Sequence, residues 1–264
     1  MCLVLIAWRV HPRYPLIVAA NRDEFYARPT EPAQRWPGAA GMIAGRDLEA
    51  GGSWMGAAAD GRFAAVTNFR ELEAGPADAR SRGELVADFL QGDAPAADYL
   101  ATLAPRAQRY RGYNLLLADG AAPDAMLHCA SNRGAPTVSL PAGVHGLCNG
   151  PLDSDWPKVR RGRELLAAAV TEAEPSEEAL FALLGDSTRP ADGELPDTGI
   201  GLANERLLGS IAIHGEIAGR GYGTRSSTLL LLDADNRGRF VERSRDVDGH
   251  GGEWRERRFD IGGH

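Results

Sequence analysis

The sequence predicts an α+β protein built on antiparallel sheets. Three observations carry this reading. Short apolar runs open and close the 264-residue chain, helical spacing is confined to its middle, and strands and helices do not alternate as in a parallel sheet. Hydrophobic residues are 44% and charged residues 25%, the balance of a globular chain with a core of its own. The length is enough to bury that core without staples. With no internal repeat, residues 1–264 read as one domain.

The elements follow in order. Leu3 to Trp8 and Leu16 to Ala20 are apolar runs, separated by His11-Pro12-Arg13-Tyr14-Pro15, which cannot continue a strand and suits a turn. Arg28 to Gly52 is rich in Gly and Pro and reads as a long loop, the kind that is usually functional. Ser53 to Ala57 and Phe63 to Asn68 read as strands joined by Asp60-Gly61, a hairpin signal. Ser81-Arg82-Gly83-Glu84 fits a capping box ahead of Leu85, Val86, Phe89 and Leu90 at helical spacing. A second helix is predicted over Ala94 to Ala104. Strands follow at Tyr113 to Ala118, Ala125 to Ala130 and Gly143 to Cys148. Val159, Leu165, Leu166 and Val170 mark a helix after Pro157, and Ser176 caps another that runs through Leu184. Thr228 to Leu232, Phe240 to Arg245 and Trp254 to Ile261 close the chain as strands, the first two joined by a turn at Asn236-Arg237-Gly238.

Composition excludes several classes. A net charge of −7 argues against a general grip on nucleic acid or anionic membrane. No apolar run approaches the roughly 18 residues of a membrane span, so no stable membrane insertion is expected. The start reaches Arg9 with no basic segment ahead of its apolar run, unlike a secretory signal. Three cysteines, Cys2, Cys129 and Cys148, are too few for a disulfide framework. The expectation is a soluble, cytoplasmic protein, its oligomeric state left open.

Five features could carry chemistry. If Met1 is removed, Cys2 joins a thiol to an α-amine with a pKa of about 8, so one residue supplies nucleophile and base. Its bland reading is a small residue opening a core strand. Asn21-Arg22-Asp23-Glu24-Phe25 puts four polar residues at the end of a buried strand. There Asp23 could orient the amine, and Arg22 could hold a thiolate or substrate oxyanion. Asn68 and Asn149 sit at strand ends and could donate to an oxyanion, or serve as turn residues. Arg225 follows the Gly-rich stretch from Gly219 and precedes the strongly apolar Thr228 to Leu232. The six histidines are scattered, and neither His128-Cys129 nor His145-x-x-Cys148 has a second pair at finger-like distance, so no metal is expected. No nucleotide fingerprint, P-loop or Gly-x-Ser-x-Gly elbow occurs, so no cofactor is expected either.

The motifs together resemble a known family. Met1-Cys2, Asn21-Arg22-Asp23-Glu24-Phe25 with Arg28-Pro29, Gly51-Gly52-Ser53-Trp54-Met55-Gly56, Ala64 to Phe69, Arg82 to Val86, and Tyr222 to Thr228 look like the NRDE-motif, or transport and Golgi organisation, family. That family is distantly similar to the N-terminal nucleophile hydrolases of the choloylglycine hydrolase and penicillin V acylase group. The resemblance implies a four-layer αββα sandwich. It also implies a catalytic set that Cys2, Asp23, Asn68, Asn149 and Arg225 match in order, with Arg22, Asn21 and Trp54 as substrate contacts. One departure stands out. The acylases carry an Arg three residues before the Asp, where this chain has Ala20, and strand alternation points Arg22 to the opposite face from Asp23.

Two functions follow. The first is a cysteine amidohydrolase acting on a small or amphipathic amide. The second, also implied by the resemblance, is a non-catalytic binding or trafficking protein for an apolar ligand such as haem or an acyl-CoA-type lipid. The complete Cys, Asp, Asn, Asn, Arg set favours the first, since binding alone does not require it.

Overall fold

The structure is a computed structural model that describes residues 2–37, 41–72, 75–76, 78–134, 136–245 and 253–262, and of Cys2 the backbone alone. Along the chain come β1 (Cys2–Trp8), β2 (Leu16–Phe25), β3 (Thr30–Arg35), β4 (Ile43–Asp47), β5 (Met55–Ala57) and β6 (Phe63–Asn68). Helices α1 (Gly83–Gln91) and α2 (Ala96–Leu103) follow, then β7 (Tyr113–Ala118), β8 (Leu127–Ser131), β9 (Val138–Ser139) and β10 (Gly143–Leu147). The chain continues through α3 (Pro157–Ala169), α4 (Glu177–Leu184) and α5 (Leu202–Leu208). It closes with β11 (His214–Ile217), β12 (Arg220–Leu232), β13 (Gly238–Arg245) and β14 (Trp254–Ile261).

The strands form two antiparallel sheets. One runs β10-β1-β2-β12-β13-β14, with β11 also paired to β12; the other runs from β3 to β9 in chain order. Val4, Ile6 and Val18 of the first sheet pack against Met55, Phe63 and Leu116 of the second. On the second sheet's outer face, Leu85, Phe89 and Leu100 of α1 and α2 cover Ala64, Leu115 and Leu117. On the first sheet's outer face, Leu166, Leu180 and Leu184 of α3 and α4 cover Leu5, Ile17 and Leu229. The result is the four-layer αββα sandwich. Both sheets are covered on two sides, which is why β1, β2 and β7 read as continuous apolar runs rather than alternating ones.

Several elements differ from expectation. The stretch 28–52 is not a structureless loop but carries β3 and β4. Pro32 hides β3 from sequence reasoning. It lies on an edge strand at the register shift between Glu31 and Gln34, where its missing N–H interrupts no ladder. β12 begins at Arg220, so the Gly-rich approach to the apolar run is itself strand. It is reached from β11 through Ala218 and Gly219, both at positive φ (50° and 71°), the conformation a two-residue hairpin demands. Ser176 caps α4 as expected, accepting from the Ala179 N–H at 3.3 Å. The box ahead of α1 does not close: Ser81 accepts from Gly83 N–H, and Glu84 is held by Arg80 instead.

Candidate functional site

β2 lies between β1 and β12, and its alternation divides the Asn-Arg-Asp run between two faces. Asn21 is opposite Ser227 and Leu3 on the helix-covered face. Its Nδ2 donates to the carbonyls of Leu184 (2.8 Å) and Ile211 (3.0 Å), and its Oδ1 accepts from Ser227 Oγ (2.7 Å). Asn21 is thus a brace between α4 and the approach to β11, and it does not line the cleft described below. Asp23 is opposite Thr224, whose hydroxyl donates to Asp23 Oδ1 at 2.7 Å. Burial raises the Asp23 pKa above the usual aspartate range. The charge of Lys158, the amino terminus, the Thr224 hydroxyl and Arg22 oppose that rise.

Arg22 faces the other way, between the sheets. It is opposite Ser226 on β12 and Cys2 on β1. Its Nη2 donates to Asp47 Oδ2 (3.1 Å), and its guanidinium lies 4.3 Å from the Trp54 ring centroid. Its Nη1 is buried with no hydrogen-bond partner. Trp54 fits there because residue 45 is glycine: a Cβ on Gly45 would stand 2.2 Å from Trp54 Cη2. Asp47 is a shared anchor that takes Arg28 Nε at 2.7 Å, Arg28 Nη2 at 3.2 Å and the N–H groups of Glu49 and Ala50. Burial pushes its carboxyl up, but Arg28 and the Ala50 N–H hold it below the ordinary value.

Arg225 occupies a β-bulge. β12 places Thr224 opposite Asp23 and Ser226 opposite Arg22, so Arg225 is the extra residue between them. The bulge turns it inward, where Nη1 donates to the carbonyls of Phe25 and Arg28 and to Thr30 Oγ1. Burial, then the charge of Arg22, lowers its pKa. Arg225, Arg22 and Trp54 line a cavity of about 30 Å³ together with Glu242. Glu242, 1% exposed, accepts from the Ala33 N–H at 2.8 Å and so ties the sheets together. Its burial pushes its pKa up to about 7.

Arg22, Asp23, Trp54 and Asn68 line one cleft of about 450 Å³ at the strand ends. Asn149, fully buried, stands beside it: its Nδ2 donates to the Asn68 carbonyl at 2.8 Å, and its Oδ1 accepts from Cys148 Sγ at 3.3 Å. The Cys2 side chain lies outside the described residues, as do Met1, His250 and His264. Among the described residues no group of three His, Cys, Asp or Glu side chains could hold a metal ion. No helix among them is long and apolar enough to cross a membrane.

Sequence reasoning missed Asp47, Glu242 and Lys158. Asp47 fell in the stretch read as loop. Glu242 opens the polar run Glu242 to Arg245, and its burial depends on β3, about 200 residues away in sequence. Lys158 carries a sequence signal of its own, as the one lysine beside 28 arginines. A second cavity, of about 780 Å³, lies on the helix-covered face. Its walls include Phe181, Leu184, Leu207 and Ile213, and its lining includes Thr224 and Ser227, the partners of Asp23 and Asn21.

Fold and site together define an αββα sandwich with a charged cleft at the ends of its central strands. The sequence profile of the family described as Transport and Golgi organisation 2 matches residues 1–247. The human Transport and Golgi organization protein 2 homolog is 34% identical over 274 residues, covering 99% of each chain. The Drosophila melanogaster Transport and Golgi organization protein 2 is 30% identical over 279 residues, covering 96% of this chain and 95% of its own. The chain belongs to the Transport and Golgi organisation 2 family. Among solved structures, a mutant conjugated bile acid hydrolase from Clostridium perfringens aligns with a TM-score of 0.48 and 9% identity, over 97% of this chain and 96% of that one. A Caenorhabditis elegans ortholog of N-acylethanolamine-hydrolyzing acid amidase aligns with a TM-score of 0.46 and 10% identity, over 87% and 92%.

Proposed function

We propose that this protein is a cysteine amidohydrolase whose nucleophile is Cys2, freed as the amino-terminal residue by removal of Met1. Its substrate is a small or amphipathic amide that carries an acidic group. One observation carries the reading: the buried Nη1 of Arg22, without a partner, on a cleft that also holds Arg28, Arg80, Arg82 and Arg111. A buried guanidinium nitrogen left unsatisfied is costly unless a ligand completes it.

In this mechanism the Cys2 thiol gives its proton to its own amine and attacks the amide carbonyl. Asp23 holds the resulting ammonium, and Arg22 donates to the oxyanion or to the substrate's acidic group. Asn68 lines the cleft, Asn149 fixes the strand end that presents it, and Arg225 supports the chain beside Arg22. The ammonium protonates the leaving amine. Water then hydrolyses the thioester and restores the thiol. The described cysteines, Cys129 and Cys148, are free thiols, which suits the reducing cytoplasm as the compartment.

The test is intact-mass analysis followed by alkylation. Met1 should be absent, and Cys2 should react with iodoacetamide near neutral pH well before Cys129, whose thiol burial pushes up to about 12. Cys2→Ser should abolish amide hydrolysis with the fold intact. Equal, slow alkylation of all three cysteines in Met1-free protein overturns the assignment. The 780 Å³ cavity favours a second reading, a carrier of an amphipathic ligand such as haem or an acyl-CoA-type lipid. In that case Cys2→Ser would leave ligand affinity unchanged.

A further inference from the structure

The chain holds 28 arginines and one lysine, Lys158. In such a sequence a lone lysine is conspicuous, and its setting makes it more so. Its side chain is 2% exposed, and its Nζ makes no hydrogen bond. Exposed stretches of α3 carry Arg160 and Arg161 instead, both in surface ion pairs. Lys158 is also the second residue of α3, where the helix dipole disfavours a cation. Burial, a missing partner and the dipole each count against an ammonium here. An apolar side chain of the same length would remove all three costs.

We propose that Lys158 is a positioning residue of the candidate site, the fixed positive charge that keeps the Asp23 carboxylate ionised. The proposal rests on the amidohydrolase reading for its use, since only an ionised Asp23 can hold the Cys2 ammonium.

Placement supports it. α3 packs on β1 one strand from β2, with residue 162 against Leu5. Arg163 of the same helix donates to the Val144 carbonyl, opposite Ala7, so the helix start, with Lys158 one turn before residue 162, runs toward the Leu3 end of β1, where Asn21 and Asp23 lie. Several described groups act on Asp23. Thr224 donates to its carboxylate, Tyr222 donates to its backbone carbonyl, and Arg22 adjoins it on β2 from the opposite face. Burial drives the carboxyl toward neutrality. Lys158 is the foremost charge opposing it, ahead of the amino terminus and Arg22. An amine suits this role better than a guanidinium, because its charge is compact and a buried planar fork would demand several acceptors.

The test compares Lys158→Met, which keeps length and removes charge, with Lys158→Arg, which keeps charge. Ionisation of Asp23 is followed directly by carbon-13 NMR of labelled aspartate carboxyls, assigned with Asp23→Asn. The acid limb of amide hydrolysis and urea stability are measured in parallel. Removing a nearby cation raises a carboxyl pKa, so Lys158→Met should move the Asp23 titration and the acid limb to higher pH by about one unit or more. Hydrolysis should fall at least about tenfold, and any loss of stability at neutral pH should be no larger than the shift of the Asp23 titration accounts for. Lys158→Arg should restore the titration in part. An Asp23 titration unmoved by Lys158→Met overturns the proposal. So does a Lys158→Met protein that loses stability and activity together with that titration in place. If the titration moves but no amide is ever hydrolysed, Lys158 keeps its role at Asp23 and the amidohydrolase reading fails alone.

Discussion

The two faces of β2 treat their polar residues in opposite ways. On the helix-covered face, the contacts of Asn21, Thr224 and Ser227 close: Asn21 uses both N–H donors and its carbonyl, and Thr224 and Ser227 each reach a β2 side chain. Between the sheets, Arg22 keeps a buried Nη1 without a partner, and Glu242 is a carboxyl pushed toward neutrality. Satisfied polar groups hold a structure together; unsatisfied ones wait for something. The difference marks Asn21 as brace and Arg22 as equipment; Asp23 shares the face of Asn21 but is a buried carboxyl set against Lys158, so the face alone does not assign its role.

The sharpest way to break that comparison is Asn21→Leu. It strands the Ser227 hydroxyl and two carbonyls in the interior, so it should cost about 4 kcal/mol. Urea unfolding with an unchanged m-value measures this, and a loss below about 1 kcal/mol would refute the brace. Glu242→Gln should act in the other direction and only above acid pH. The folded pKa of Glu242 is raised, so its contribution is present below the unfolded value near 4.5 and is lost as pH rises through about 7. The full difference is about 3 kcal/mol. Glu242→Gln should therefore match wild type near pH 4 and exceed it at pH 8, a divergence that denaturation at two pH values reveals. Gly45→Ala is the smallest of the three, about 2 kcal/mol, because its Cβ displaces the Trp54 ring. It should also loosen the stack on Arg22, seen as a shifted tryptophan emission. Emission identical to wild type would separate Gly45 from the site.

How much of this was legible in the sequence depends on where each residue's partners lie. The apolar runs gave β1, β2 and β7 directly, since strands buried on both faces need only be hydrophobic. Alternation alone put Arg22 and Asp23 on opposite faces. β3 escaped because a polar edge strand interrupted at Pro32 looks like loop, and α5 because seven residues make too short a periodic pattern. Asp47 and Glu242 owe their importance to strands that fold against them from elsewhere, and no local pattern marks that. Lys158 was different: a count of one against 28 arginines stood in plain view.

The bulge at Arg225 has a consequence for how the chain can change. Elsewhere a loop can gain or lose residues and leave each strand reading the same way. Between Gly219 and Ser226 the parity of the count is itself information. With one residue fewer, Arg225 would replace Thr224 opposite Asp23, and each residue from Thr224 back to Arg220 would exchange faces. A guanidinium would enter the helix-covered layer, and the space beside Glu242 would lose its cation. Single-residue deletions here should therefore be far rarer among functioning relatives than substitutions, a spelling rule written in length rather than in letters.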